Sequence, residues 1–171
     1  GRICRRTLET PQVLSCKGMT TLLFSERPVL RAVFGMAGAA AQGEVSGDAV
    51  QQFCSPTAAQ MILCDGMGSG PEANRESTLA VRLLEQFLQA GVPARQALST
   101  LASALALRGE DAGGFTTVDL LQIDLFTGDG ELYKLGAAPT YVKRSGAVQR
   151  LSGSALPAGL SAGEAPVSDR F

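Results

Sequence analysis

Residues 61–70 read MILCDGMGSG: an apolar run, one carboxylate at Asp65, and then Gly66, Gly68 and Gly70. The run from Ala59 to Cys64 has the length and composition of a short buried strand. Glycines immediately after a strand let the backbone turn sharply or approach a ligand closely. The hydrophobic period then changes. Ala80, Leu83, Leu84, Phe87 and Leu88 fall at i, i+3, i+4, i+7 and i+8, which predicts an amphipathic helix. Ser69 with Glu72 matches a capping box, and Pro71 is tolerated in a first helical turn. The stretch therefore reads as strand, carboxylate, glycine turn and helix.

Downstream, Gly91 is a natural helix stop, and Pro93 restarts a second helix with Ala97, Leu98, Leu101, Ala102 and Leu105 on one face. So short a connection predicts an antiparallel helix pair. From Phe115 the period becomes two: Thr117, Asp119, Leu121 and Ile123 face one way, Val118, Leu120, Gln122 and Asp124 the other. Gly128-Asp129-Gly130 predicts a hairpin turn, with Glu131 to Ala137 returning. A further hairpin is expected from Thr140–Arg144 and Ala147–Leu151 around Ser145-Gly146. Residues 152–171 show no clear element. Upstream, residues 19–25 and 29–36 read as strands joined at Arg27-Pro28. Residues 37–47 read as a glycine-rich loop, and Asp48 to Phe53 as another strand. Strands, a helix pair and then a strand meander predict an α+β domain with helices packed on antiparallel sheet. The expectation is one domain over 1–171, without repeat or linker.

Composition narrows the function. Apolar residues make up 45% of the 171, and no apolar run reaches the ~18 residues needed to span a bilayer. No targeting segment is evident; the cysteine usage suits a reducing, cytoplasmic setting, and no membrane contact by this chain is expected. The net charge of −1 has no basic face for nucleic acid; Arg2, Arg5 and Arg6 read as a small solvated cluster. Cys4, Cys16, Cys54 and Cys64 form no CxxC pair, so zinc is disfavoured, and Cys64 reads as a buried free thiol. Histidine is absent. Ser-His-Asp and Cys-His nucleophile chemistry are thereby excluded within this chain. Acid–base or metal chemistry must use carboxylates, Lys, Tyr, Cys or water.

Two stretches place a lone aspartate among glycines at a strand end: Glu44-Val-Ser-Gly-Asp48 and Cys64-Asp-Gly-Met-Gly68. Two such carboxylates from neighbouring strands make an oxygen-rich site for hard cations such as Mg²⁺ or Mn²⁺. Crowded carboxylates repel unless a cation neutralises them. Metal-activated water can then attack a phosphoryl group without any histidine. The plainer reading also stands: Asp-Gly and Gly-Asp are ordinary turn dipeptides. GMGSG is not a phosphate cradle of a known kind, for it lacks the Lys-Ser/Thr ending of a P-loop and does not match GxGxxG.

EVSGD, then DGMGSGPEANRES leading into a Leu-rich helix, then FTTVDLLQIDLFTGDGELYKLGAAPTYVKR, then LPAGL, together resemble the phosphatase domain of stage II sporulation protein E. That family belongs to the metal-dependent type 2C (PPM-type) serine/threonine phosphatases. The resemblance spans about residues 43–160, with the pieces in the same order. It implies a β-sandwich flanked by helices (α-β-β-α) and a dinuclear Mn²⁺ or Mg²⁺ centre. It implies that Asp48 and Asp65 are the catalytic, metal-binding aspartates and that Gly66 contributes its backbone carbonyl. Water bridging the metals would attack phosphoserine or phosphothreonine on a protein, by resemblance an anti-sigma-factor antagonist.

The resemblance also implies further metal-binding aspartates after the LPAGL-like segment, which this sequence does not show. Val167-Ser-Asp-Arg-Phe171 has Arg170 where that motif has glycine, so Asp169 reads as a loop residue. The expectation is a domain incomplete at its C-terminus, with weak or no activity by itself. Exposed edge strands would then favour pairing into a homodimer. Full-length relatives often carry a membrane-spanning region upstream. Asp111 reads as a solvated loop aspartate. Asp119 and Asp124 fall on opposite faces of one strand and cannot share a site. Thr116 and Thr117 read simply as strand formers. Arg75 and Glu76 fall on the first helical turn, as helix contacts or, for Arg75, a phosphate contact. The alternative function is a non-catalytic regulatory or protein-interaction module on the same fold.

Overall fold

The alternation of buried and exposed residues along Ala58–Gly66 marks a strand with one face on a core and one face open. In the computed structural model, which describes residues 5–40, 45–108, 114–160 and 165–171, this strand is the second of a five-stranded antiparallel sheet. In chain order the elements are β1 (Gln12–Cys16), β2 (Met19–Leu23), β3 (Asp48–Cys54), β4 (Ala58–Gly66), α1 (Gly70–Gln89), α2 (Ala94–Ala106), β5 (Thr116–Asp124), β6 (Gly130–Leu135), β7 (Thr140–Arg144), β8 (Ala147–Leu151) and β9 (Val167–Arg170). The large sheet has the order β3-β4-β5-β6-β9; β1-β2 and β7-β8 are separate two-stranded sheets. The architecture is α+β, as the sequence predicts.

The helices cover one face of the large sheet. Ala80, Leu84 and Leu88 of α1 and Leu98, Leu101 and Leu105 of α2 bury against Ile62, Val118, Leu120 and Leu135 of the sheet. Burying a leucine fully stabilises by roughly 1.5–3 kcal/mol, so this stripe carries the helix pair. Ser77 is completely buried within the same stripe. The sheet's other face carries Asp48, Val50, Leu63, Asp65 and Asp119, and Val50 and Leu63 remain 36% and 44% exposed.

Four expectations are corrected. Residues 29–36 do not form a strand; Leu30 N–H donates to Leu125 O, but Val29 and Val33 stay largely exposed, so the apolar run has no partner strand to order it. The first hairpin instead pairs β2 with an unexpected β1. Its turn is Lys17-Gly18, where both residues have positive φ, the conformation a tight hairpin demands. Residues 152–171 are not without structure, because β9 adds to β6. Asp169 therefore lies in a strand opposite Leu132 rather than in a loop. Arg95 fixes this edge by donating to Pro166 O and Ser168 Oγ. Finally, Ser69 makes no side-chain capping bond: Gly70 at φ +80° and Pro71 shape the helix start. Asp111, Glu44 and Cys4 lie outside the described residues.

Candidate metal centre

Asp48 begins β3 and Asp65 stands one residue before the end of β4. The antiparallel register makes them direct partners across the sheet, and residues directly opposite project from the same face. The two aspartates singled out from separate motifs are thus brought together. Burial, followed by the charge of Asp48 and a hydrogen bond with it, raises the Asp65 carboxyl above its ordinary 3.8. Two acidic oxygen groups pressed together with no cation among the described residues to offset them fit a divalent-cation site, since a cation would neutralise that repulsion. The donor chemistry is also suitable: hard Mg²⁺ and Mn²⁺ prefer carboxylate, carbonyl and water oxygens. No cluster of three or more acidic or sulfur ligands occurs among the described residues.

Gly66 is buried at the junction of strand and loop. A Cβ there would fall 2.0 Å from the carbonyl oxygen of Ala73 in α1, so only glycine admits this approach of helix to loop. Its N–H donates to Gly47 O at 3.3 Å, joining the two carboxylate-bearing segments. The helix reinforces that junction. Ser77 Oγ donates to Gly47 O at 2.6 Å, and Asn74 Nδ2 donates to Ser46 O at 2.8 Å and to Asp48 O at 3.3 Å. Locally, Ser46 Oγ donates to the Asp48 carboxylate at 3.1 Å.

On the other side, Asp65 pairs with Thr117 of β5. The Asp65 N–H donates to Thr117 Oγ1 at 3.3 Å, and Thr116 Oγ1 donates to Asp65 O at 2.9 Å. These threonines, expected only as strand formers, brace the carboxylate strand. Two clefts open beside the pair. One of about 340 Å³ runs from Asp48 over Val50 and Leu63. The other, about 270 Å³, lies between Asp65 and Leu160. The LPAGL segment (156–160) reaches the site through a bridge between Ala158 and Thr116, with backbone hydrogen bonds in both directions.

The remaining candidates lie elsewhere. Asp119 faces the same side as Asp65 but one row down, where Asp65 pairs with Thr117 and Asp119 with Leu63. It is held by buried Lys134 and by Thr140. Asp124 instead ends its strand and accepts hydrogen bonds from Phe126 and Thr127 N–H in the following turn. Glu76 forms a two-pronged pair with Arg108 at 2.7 and 3.1 Å, a contact between α1 and the segment after α2. Arg75 is exposed on α1. Ser46, Asn74 and Ser77 were not singled out from sequence. A serine on the apolar stripe of α1 is the signal that could have found one of them, since a buried hydroxyl needs a partner.

The family profile described as "Stage II sporulation protein E (SpoIIE)" matches residues 55–171. Stage II sporulation protein E of Bacillus subtilis (strain 168) is 33% identical over 145 residues, 84% of this chain and 17% of the relative. The protein of the same name from Priestia megaterium is 36% identical over 119 residues, 69% of this chain and 20% of the relative. The chain therefore spans about a fifth of the length of the curated relatives it matches. Among solved structures, the PP2C phosphatase domain with a fragment of the regulatory domain of SpoIIE from Bacillus subtilis superposes with a TM-score of 0.79. The match has 28% identity and covers 99% of this chain and 52% of that one. RsbX in complex with magnesium shares the fold, with a TM-score of 0.64 and 16% identity over 94% of this chain and 71% of that one.

Proposed function

Because the chain belongs to the stage II sporulation protein E (SpoIIE) family and has the fold of its type 2C phosphatase domain, we propose that it carries part of the catalytic centre of a metal-dependent protein serine/threonine phosphatase. The observation that carries this reading is the direct opposition of Asp48 and Asp65 at one end of the sheet. Asp48 and Asp65 would hold Mn²⁺ or Mg²⁺ through their carboxylates, with Gly66 contributing its carbonyl. When bound, the metals supply an activated water for attack on a phosphate ester and neutralise its charge. The chain's own part is to hold the two carboxylates side by side. Thr116 and Thr117 fix Asp65 from one flank, and Ser46 fixes Asp48 from the other.

Octahedral Mg²⁺ needs about six oxygens, and these residues offer three donor groups. Water, substrate phosphate and further protein oxygens would fill the remainder. We propose that some of those further oxygens come from protein segments other than the ones described, and that turnover by the chain alone is weak. The substrate we propose is a phosphoserine- or phosphothreonine-bearing anti-sigma-factor antagonist, in the cytoplasm. No described helix is long and apolar enough to cross a membrane.

The test is Mn²⁺-dependent hydrolysis of para-nitrophenyl phosphate by the natural protein that contains this chain, by its Asp48→Asn and Asp65→Asn variants, and by the chain alone. Rapid hydrolysis lost in both variants, with slow turnover by the chain, is the expected result. A natural protein inert in Mn²⁺ refutes the enzyme reading; fast turnover by the chain alone refutes the partial-domain reading.

One observation favours a second role, as a regulatory module. The backbone of α1 lies directly against Gly66, so a partner that shifts the helix pair would displace the carboxylate loop. An inert natural protein whose partner binding depends on α1 would establish that role.

A further inference from the structure

We infer that Asn74 and Ser77 of α1 are positioning residues for the paired carboxylates, an inference that rests on the metal-binding reading of Asp48 and Asp65. Neither side chain reaches the carboxylates. They act on the backbone that carries them. Ser77 Oγ donates to Gly47 O at 2.6 Å, and the same carbonyl accepts the Gly66 N–H at 3.3 Å. One oxygen therefore ties helix, first carboxylate segment and second carboxylate segment together. Asn74 Nδ2 spans the carbonyls on either side, Ser46 O at 2.8 Å and Asp48 O at 3.3 Å. Three consecutive carbonyls, those of Ser46, Gly47 and Asp48, are held by two side chains one helical turn apart.

Ser77 is fully buried, and neither residue is where helix stability would place it. Serine and asparagine are poorer helix formers than the alanine that precedes them at 73. A buried serine in an otherwise apolar stripe is retained at a cost unless its hydroxyl is used. Here the shorter of its two contacts, 2.6 Å against 3.1 Å to Asn74 O within the helix, is made to the segment ending in Asp48. Groups that orient metal-binding residues without touching the metal commonly change affinity by about tenfold or more when removed.

The test is a Mn²⁺ titration of the chain, read by electron paramagnetic resonance of free Mn²⁺ under conditions where circular dichroism shows every variant folded. Asn74→Ala and Ser77→Ala are each expected to weaken binding by about tenfold. Asn74→Leu keeps the size, adds no charge and removes the donating NH₂, and should match the loss in Asn74→Ala. Leu88→Val, three turns further along the same helix, lowers stability by removing core volume and should leave Mn²⁺ affinity unchanged. Asp48→Asn sets the background. If Asn74 and Ser77 variants bind Mn²⁺ as the unaltered chain does, or no more weakly than Leu88→Val, the positioning role is overturned and the metal reading stands. If the unaltered chain binds no better than Asp48→Asn, both are overturned together.

Discussion

Replacing Gly66 with alanine adds one methyl group at the tightest approach in the site. That methyl would sit 2.0 Å from Ala73 O, 2.7 Å from Ala73 C and 3.0 Å from Ala73 Cα. These are backbone atoms of α1, so no side chain can swing aside. Since carbon atoms do not settle closer than about 3 Å, β4 and α1 must part by about 1 Å or more. That displacement stretches Ser77 Oγ to Gly47 O from 2.6 Å to beyond 3.5 Å, and Asn74 Nδ2 to Ser46 O from 2.8 Å likewise, which ends both hydrogen bonds. Overpacking costs about 1–3 kcal/mol and the two bonds about 1 kcal/mol each. The expected loss is about 3–5 kcal/mol, or roughly 6–20 °C in Tm for a chain of this size. Gly68→Ala is the control. Gly68 has φ +90° with no atom within 4 Å of a Cβ, so it should lose only the ~1–2 kcal/mol of left-handed strain. Urea and thermal unfolding followed by circular dichroism measure both. A Gly66→Ala chain within 1 °C of the unaltered Tm, or one more stable than Gly68→Ala, would refute the steric reasoning.

Three further outcomes follow from particular groups. Lys134 is 1% exposed and pairs with Asp119, whose carboxyl burial raises even so. Lys134→Met should therefore destabilise by about 2–3 kcal/mol in urea titration, and adding Asp119→Asn should restore part of that, since the unpaired charge is gone. The raised Asp65 carboxyl keeps its proton longer in the folded than in the unfolded chain. Metal-free stability should thus fall as pH rises from 3.8 through the folded value of Asp65 and then level. Asp48→Asn should flatten that fall in urea midpoints measured across pH 4–7; an unchanged slope would show that the two carboxyls do not interact. Burial, then the charge of Asp119, pushes the Cys64 thiol up, while Cys16 and Cys54 are exposed. A disulfide reagent followed by mass spectrometry should label Cys16 and Cys54 in the native chain and Cys64 only after denaturation.

The legible parts of the fold are those whose order is local. The helix pair was readable because its apolar residues repeat on one face, and the stripe that buries is the stripe the spacing picks out. The β5–β6 hairpin was readable because Gly128 must take φ +83° in the turn. Residues 29–36 misled for the opposite reason. Their composition suits a strand, yet a strand requires a partner edge, and composition carries no information about which edges are free. β9 was missed for a related reason. Four residues, Val167–Arg170, gain their order from β6 and from Arg95, which lies 71 residues before Pro166.

For the site, the opposition of Asp48 and Asp65 was encoded more strongly than the two motifs alone suggest. Cys54 pairs with Ala59, and each aspartate lies six residues beyond its end of that hairpin. Once the turn at residues 55–58 is fixed, an antiparallel register leaves no other arrangement, and a slip of one residue would turn one carboxylate to the helix face. What the spacing could not reveal is what keeps that register at the end of the sheet, where Asp48 is the first residue of its strand. The answer lies on α1. Ser77 interrupts the apolar stripe of Ala73, Ala80, Val81, Leu84 and Leu88, and a hydroxyl there has to find an acceptor. Its nearer acceptor is Gly47 O, next to Asp48, at 2.6 Å, with Asn74 O of the helix itself at 3.1 Å. The polar residue that looks like a flaw in the helix pattern is therefore the point at which the helix holds the carboxylate segment, and it joins the packing of the fold to the geometry of the site.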